Sequence, residues 1–171
     1  MIIKTVILSG LFLCLSCQAF GVAYNYKSLS DYPRTLDNFQ SVEEFEASYR
    51  DSIQDCLDHT YGGTGGIPCL IATDIWDREL NIQYNKLYFM LGNEGRRQLK
   101  QSQQSWIKMR NETYKVQSLV MDGVYPSMGT ESALMRAGEV DNLAVAMIKQ
   151  RTLLLRELSE LIKNKRLIIG N

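Results

Sequence analysis

Histidine is nearly missing from this chain of 171 residues: His59 is the only one. A lone histidine leaves no His-x-x-x-His pair for a metal, and no paired Cys-x-x-Cys accompanies it. It also leaves little for acid–base or nucleophilic catalysis, so no metal, no cofactor and no enzymatic turnover are expected. Runs of Lys or Arg are absent too, and 19 basic against 19 acidic side chains give no net charge. Nucleic acid, whose phosphates call for a basic face, is therefore not an expected partner. Outside the N-terminus no apolar run approaches the roughly 20 residues that span a bilayer, so no transmembrane span is expected in the mature protein. β-alternation of useful length is lacking, as is any repeat of fixed period. What is present, 45% hydrophobic residues with 22% charged, suits one soluble domain with a real core.

The first residues read as an export signal. Lys4 supplies a positive charge, Thr5 to Ser16 is almost wholly apolar or small, and small residues follow. The expectation is a signal peptide over residues 1–19, with cleavage after Ala23 fitting as well, and a periplasmic or secreted protein. Leu15-Ser16-Cys17 also resembles the end of a bacterial lipoprotein box, which would place a lipid on Cys17 instead. Beyond the leader only Cys56 and Cys69 remain. In an oxidising compartment, two thiols flanking a short Gly-rich segment most simply form a disulfide.

Downstream the periodicity is helical. Ser41 and Glu44 form a candidate capping box, and Val42, Phe45, Tyr49, Ile53 and Cys56 then share one stripe of a helix over 42–58. Its other face carries Glu43, Glu44, Glu46, Asp51, Asp55 and Asp58 against Arg50. That face reads either as simply solvated or as a guide for a basic partner. Residues 59–68 hold four glycines and cannot continue the helix, so they read as a loop tied at its base by the cystine. A second helix is expected over about 69–91 and a third over about 94–120, with Leu99, Trp106, Met109, Thr113, Val116 and Val120 inside. The short joint makes these two antiparallel. A turn-rich loop at 122–129 leads to a last helix from Thr130 to about 163, which Gly138 would interrupt. The fold class is thus all-α: a small antiparallel bundle of about four helices with one disulfide-clipped loop. Residues 20–40 read as an irregular arm, and 41–171 as a single helical domain.

Two trios on the central helices are distinctive. Asp77, Asn81 and Tyr84 recur at i, i+4 and i+7, and Gln103, Trp106 and Arg110 at i, i+3 and i+7, so each trio occupies one face. The string Trp76-Asp77-Arg78-Glu79-Leu80-Asn81-Ile82-Gln83-Tyr84-Asn85-Lys86-Leu87, then Leu99, then Gln103-Gln104-Ser105-Trp106-Ile107-Lys108-Met109-Arg110-Asn111, resembles the LprI-type lysozyme inhibitor family over roughly residues 50–162. The family pattern has Leu-Asn-x-x-Tyr on one helix and Gln-x-x-Trp-x-x-x-Arg-Asp on the next, with cysteines before the first, matched by Cys56 and Cys69. The chain departs from it at Asn111, and at Tyr114, near which members often carry a further Cys. The resemblance implies an exported bacterial protein that binds a peptidoglycan-cleaving muramidase and blocks it. A periplasmic immunity protein that neutralises a toxin would have the same leader, size and lack of catalytic motif.

For the motif residues a structural role is expected. Arg110 or Gln103 would satisfy Asp77, Asn81 or a backbone carbonyl, with the tryptophans in the core, so that Trp106→Ala unfolds the domain. An inhibitor must instead offer exposed groups to a cleft holding two catalytic carboxylates. The cystine-tied loop with His59, Thr60, Tyr61 and Thr64 is the first candidate, and Tyr125, Ser127 and Thr130 are the second. Either would otherwise be ordinary solvent loop. Residues 20–91 carry 5 basic and 11 acidic side chains, and 92–171 carry 13 and 8. A basic lysozyme would be steered toward the acidic half.

Overall fold

A computed structural model describes residues 24–60, 62–126 and 129–165. The leader, the lipidation site Cys17, Tyr61 and Ser127 lie outside the described residues. Four α-helices form the body: α1 Val42–His59, α2 Ala72–Met90, α3 Asn93–Val124 and α4 Thr130–Lys165, and no strand occurs among the described residues. None of these helices is long and apolar enough to cross a membrane.

Ser41 starts α1 as expected, its side chain accepting from Glu44 N at 3.1 Å, while the Glu44 carboxylate takes Gln40 N at 2.8 Å. α2 has no such start of its own, since Ile71 precedes it. The missing cap comes from α4: Asp141 Oδ1 accepts from Thr73 N at 3.2 Å, a carboxylate placed where the helix dipole favours one. This contact fixes the entry of α2 against α4. At the other end Asp37 receives Lys86 of α2 and, at 3.9 Å, Arg156 of α4. The two helices therefore run parallel. α3 returns antiparallel along them, with Gln103 beside Arg151 and Gln117 beside Val140. α1 also runs antiparallel to α2, from Tyr49 at Trp76 to the Cys56–Cys69 disulfide.

The core is aromatic where α1 meets α2. Phe45 packs edge-on against Phe39, Tyr49 and Trp76 at centroid distances of 5.2 to 5.6 Å, and Trp76 is fully buried with its indole N–H donating to Tyr49 Oη at 2.9 Å. Ile148 and Leu155 of α4 and Leu80 and Leu87 of α2 continue it.

Several sequence expectations change. The arm at 24–40 is docked: it forms two short 3₁₀ turns, Leu29–Asp31 and Leu36–Asn38, and buries Leu36 and Phe39 in the main core. Fully buried Glu79 accepts Leu36 N at 3.0 Å, and Arg78 grips the carbonyls of Tyr32 and Arg34. Backbone groups of an otherwise irregular segment are satisfied in this way. Gly138 does not interrupt α4, which is continuous. The largest correction concerns α3: Leu99 is buried and Trp106 half-buried, but Met109, Thr113, Val116 and Val120 are exposed. The face turned inward carries Gln103, Arg110, Tyr114, Gln117 and Met121 instead. Polar partners on α2 and α4 draw it there, through Arg110–Asp77, Gln103–Arg151 and Gln117–Val140.

Candidate functional site

The loop between α1 and α2 is closed by the Cys56–Cys69 disulfide, whose Cα atoms lie 5.7 Å apart. Its first part is less open than the glycines suggest. α1 runs on to His59, and Gly63–Cys69 winds as a 3₁₀ turn with Gly66 and Cys69 buried. Gly66 sits so close to Leu134 of α4 and Leu57 of α1 that an added Cβ would come within 3.0 and 3.1 Å of their methyl groups. This places the loop against the N-terminal turns of α4. One consequence concerns the two candidate loops. A Cβ at Gly63 would lie 2.9 Å from Thr130 Oγ1, so the first candidate loop and the second meet at one end of the bundle.

At that end Thr64 and Thr130 are exposed and Tyr125 is half-buried. His59 is exposed, with Nδ1 against the Asp55 carbonyl at 2.7 Å and its ring stacked on Tyr24 at 5.9 Å. The Thr60 hydroxyl is taken up within the loop, donating to the Leu57 carbonyl at 3.1 Å. Thr60 therefore offers less to a partner than His59 and Thr64 do. The arm, which the sequence left unassigned, braces this loop: Tyr26 Oη donates to the Gly65 carbonyl at 2.8 Å and Tyr24 Oη to Asp55 Oδ2 at 3.3 Å. The aromatic residues Tyr24 and Tyr26 were the available signal for that role.

Charge at this end is acidic. Asp51, Asp55 and Asp58 stand exposed on the last three turns of α1. Near the C-terminus of α1, Asp55 and Asp58 oppose the helix dipole, and their partners there are local: Tyr24 and His59 for Asp55, Gln54 for Asp58. Beside the loop opens a cleft of about 580 Å³ lined by Ile67 and Leu70 of the loop, Tyr114 and Gln117 of α3 and Val140 and Ala144 of α4. Arg136 at its edge is paired with Asp122 at 2.6 Å.

The two trios lie elsewhere, along the α2–α3 contact. Arg110 pairs with Asp77 at 3.6 Å and lies over the rings of Trp106 and Tyr114 at 5.2 and 5.7 Å. Asn81 donates to the Asp77 carbonyl of its own helix at 2.9 Å. Tyr84 stacks on Tyr88 at 6.2 Å. Gln103 accepts from Arg151 of α4 at 3.1 Å, and Asn111 faces solvent. Trp76, Leu80, Leu87 and Leu99 are buried.

The fold is thus a disulfide-clipped helical bundle. A sequence model of the family described as Lysozyme inhibitor LprI matches residues 69–153, from the second cysteine through α2 and α3 and most of α4. Over that stretch the chain is similar to the LprI family, and both trios fall inside it. No curated protein and no solved structure matches the chain.

Proposed function

We propose that the protein is an exported inhibitor that occupies the cleft of a lysozyme or related muramidase with the end of the bundle where the cystine loop meets the start of α4. The observation that carries this reading is the close approach of Gly63 to Thr130 in a chain similar to the LprI family. It joins two loops, each able to present hydroxyl and imidazole groups, into one protruding edge. His59, Thr64 and Thr130 supply the exposed polar groups, with Tyr61 and Ser127 of the same loops as further contacts. Asp51, Asp55 and Asp58 beside them steer a basic enzyme toward this edge at a salt-dependent rate. The adjoining apolar cleft gives a partner side chain a place to bury, the feature that concentrates binding energy in protein interfaces. Action is by stoichiometric binding, not turnover. Export rests on the N-terminal leader, with the disulfide as the matching adaptation to an oxidising compartment.

The test is a titration of muramidase activity on bacterial cell walls, with lysozymes of several types, against the chain from Phe20 under oxidising conditions. Inhibition that saturates near one-to-one stoichiometry supports the reading. Full activity of every type at saturating protein contradicts it and moves the weight to neutralisation of a toxin.

A further inference from the structure

A second apolar cleft, at the end of the bundle opposite the cystine loop, is a feature the inhibitor reading leaves unused. It opens where α3 leaves α2 and runs beside the last turns of α4, with a volume of about 400 Å³, within the range of small-ligand sites. Leu87 and Leu91 of α2, Leu99 of α3 and Leu158, Leu161 and Ile162 of α4 line it. Leu158 and Leu161 are 40% and 46% exposed, so the α4 wall is open to water. The α3 wall runs from Gly95 to Ser102, roughly 10 Å at the usual helical rise.

Charge enters at the Ser102 end. Arg151 of α4, seven residues before Leu158 and therefore on the same face of that helix, donates from Nη2 to Ser102 Oγ at 3.0 Å and from Nε to Gln103 Oε1 at 3.1 Å. Both partners are neutral. Of the five N–H donors of a guanidinium, these two bonds leave three without a partner among the described residues. Residues 80–92, 95–111 and 142–156, the stretches around this end of the cleft, contain no Asp or Glu. Glu94 and Glu160 beyond them are paired with Arg97 and Lys163, and Glu157, six residues on from Arg151, lies about 120° around α4 from it. The neighbouring cations Arg110, Lys149 and Arg156 have their carboxylates in Asp77, Glu46 and Asp37. Arg151 has none among the described residues, and burial holds its pKa below the usual arginine value with no opposing charge to raise it. A half-buried cation without a counter-charge is costly, and an anionic ligand at that point removes the cost.

We infer that the cleft holds a medium-chain fatty acid, its carboxylate on Arg151 and Ser102 and its acyl chain along Leu99, Leu158 and Leu161 toward Leu91. An inorganic anion would use only the guanidinium, and a neutral hydrocarbon only the leucines. A carboxylate also matches the planar fork of arginine, which binds it through two parallel N–H donors.

Isothermal titration of the chain from Phe20 with decanoate, kept below its micelle concentration, tests this. Saturable one-to-one binding is expected. Arg151→Met should weaken it roughly tenfold or more, the loss of a hydrogen-bonded charge, and Arg151→Lys by less. Leu161→Asp, at a side chain already half in water, should weaken it by roughly as much without disturbing the fold. Decyltrimethylammonium, a chain of the same length with a cationic head, should not bind. Absence of saturable binding of decanoate overturns the inference. So does an affinity unchanged by either Arg151→Met or Leu161→Asp, decyltrimethylammonium bound as tightly as decanoate, or a self-associated chain whose second copy fills the cleft and excludes decanoate. Inhibition of a muramidase is independent of these outcomes.

Discussion

Gly63 and Thr130 are 67 positions apart in sequence, yet a Cβ added at Gly63 would come within 2.9 Å of Thr130 Oγ1 and 3.0 Å of its Cβ. Gly63 also has φ +60°, in the left-handed region where a side chain is strained. Gly63→Ala should therefore cost about 1–2 kcal/mol, from the backbone and from displacement of Thr130. Thermal unfolding measures this cost. Because the same close approach joins the two loops of the proposed edge, inhibition should fall in the folded variant at a temperature well below its transition. Inhibition fully retained would separate the loops functionally.

A second prediction concerns Tyr49 and pH. Its hydroxyl, pushed up to about 12 by burial, titrates near 10 in an unfolded chain. A folded-state value above the unfolded one stabilises the fold below the unfolded value and loses that contribution as pH rises through the folded one. Stability should therefore drop between about pH 10 and about pH 12. Tyr49→Phe removes this part of the dependence. At neutral pH the same variant leaves the buried Trp76 N–H without its acceptor, at a cost of about 1–3 kcal/mol. Chemical denaturation of both proteins at neutral and alkaline pH checks both signs.

The residues most prominent in the family motif should matter less to stability than their prominence suggests. The Arg110–Asp77 pair is long at 3.6 Å, Asp77 is nearly half exposed, and the buried Arg110 Nε has no hydrogen-bond partner. A double-mutant cycle of Arg110→Met with Asp77→Asn should give a coupling of at most about 1 kcal/mol. The tryptophans should separate as well. Trp76→Ala removes a fully buried ring and should cost about 3–5 kcal/mol. Half-buried Trp106, the ring beneath Arg110, should cost clearly less and leave the domain folded. Equal losses for the two would contradict the packing described.

These contrasts show which features the sequence exposes. The stripes of α1 and α2 were readable because aliphatic and aromatic residues there mark the buried face, from Phe45 and Tyr49 to Trp76, Leu80 and Leu87. In α3 the same rule selected the wrong face. Val116 and Val120 outweigh Arg110 and Gln117 on any hydrophobic scale, but the helix is held by polar contacts to Asp77, Arg151 and the Val140 carbonyl. The docked arm was hidden for another reason. Leu36 and Phe39 have no period, and the groups that hold them, Glu79 and Arg78, lie more than forty residues on. The two candidate loops could each be read as exposed and polar. Their contact is tertiary, set by the packing of Gly66 against Leu134 and Leu57.

The central claim is that one end of the bundle inhibits. The most direct measurement is the inhibition constant against a susceptible lysozyme for a chain with Thr64→Arg and Thr130→Arg, compared with Phe89→Arg at the opposite end. Thr64, Thr130 and Phe89 are all exposed, so all three substitutions leave the core untouched. The account predicts a loss of roughly tenfold or more, about 1.4 kcal/mol, for the double variant and no change for Phe89→Arg. Unchanged inhibition by the double variant, or a loss confined to Phe89→Arg, would contradict it.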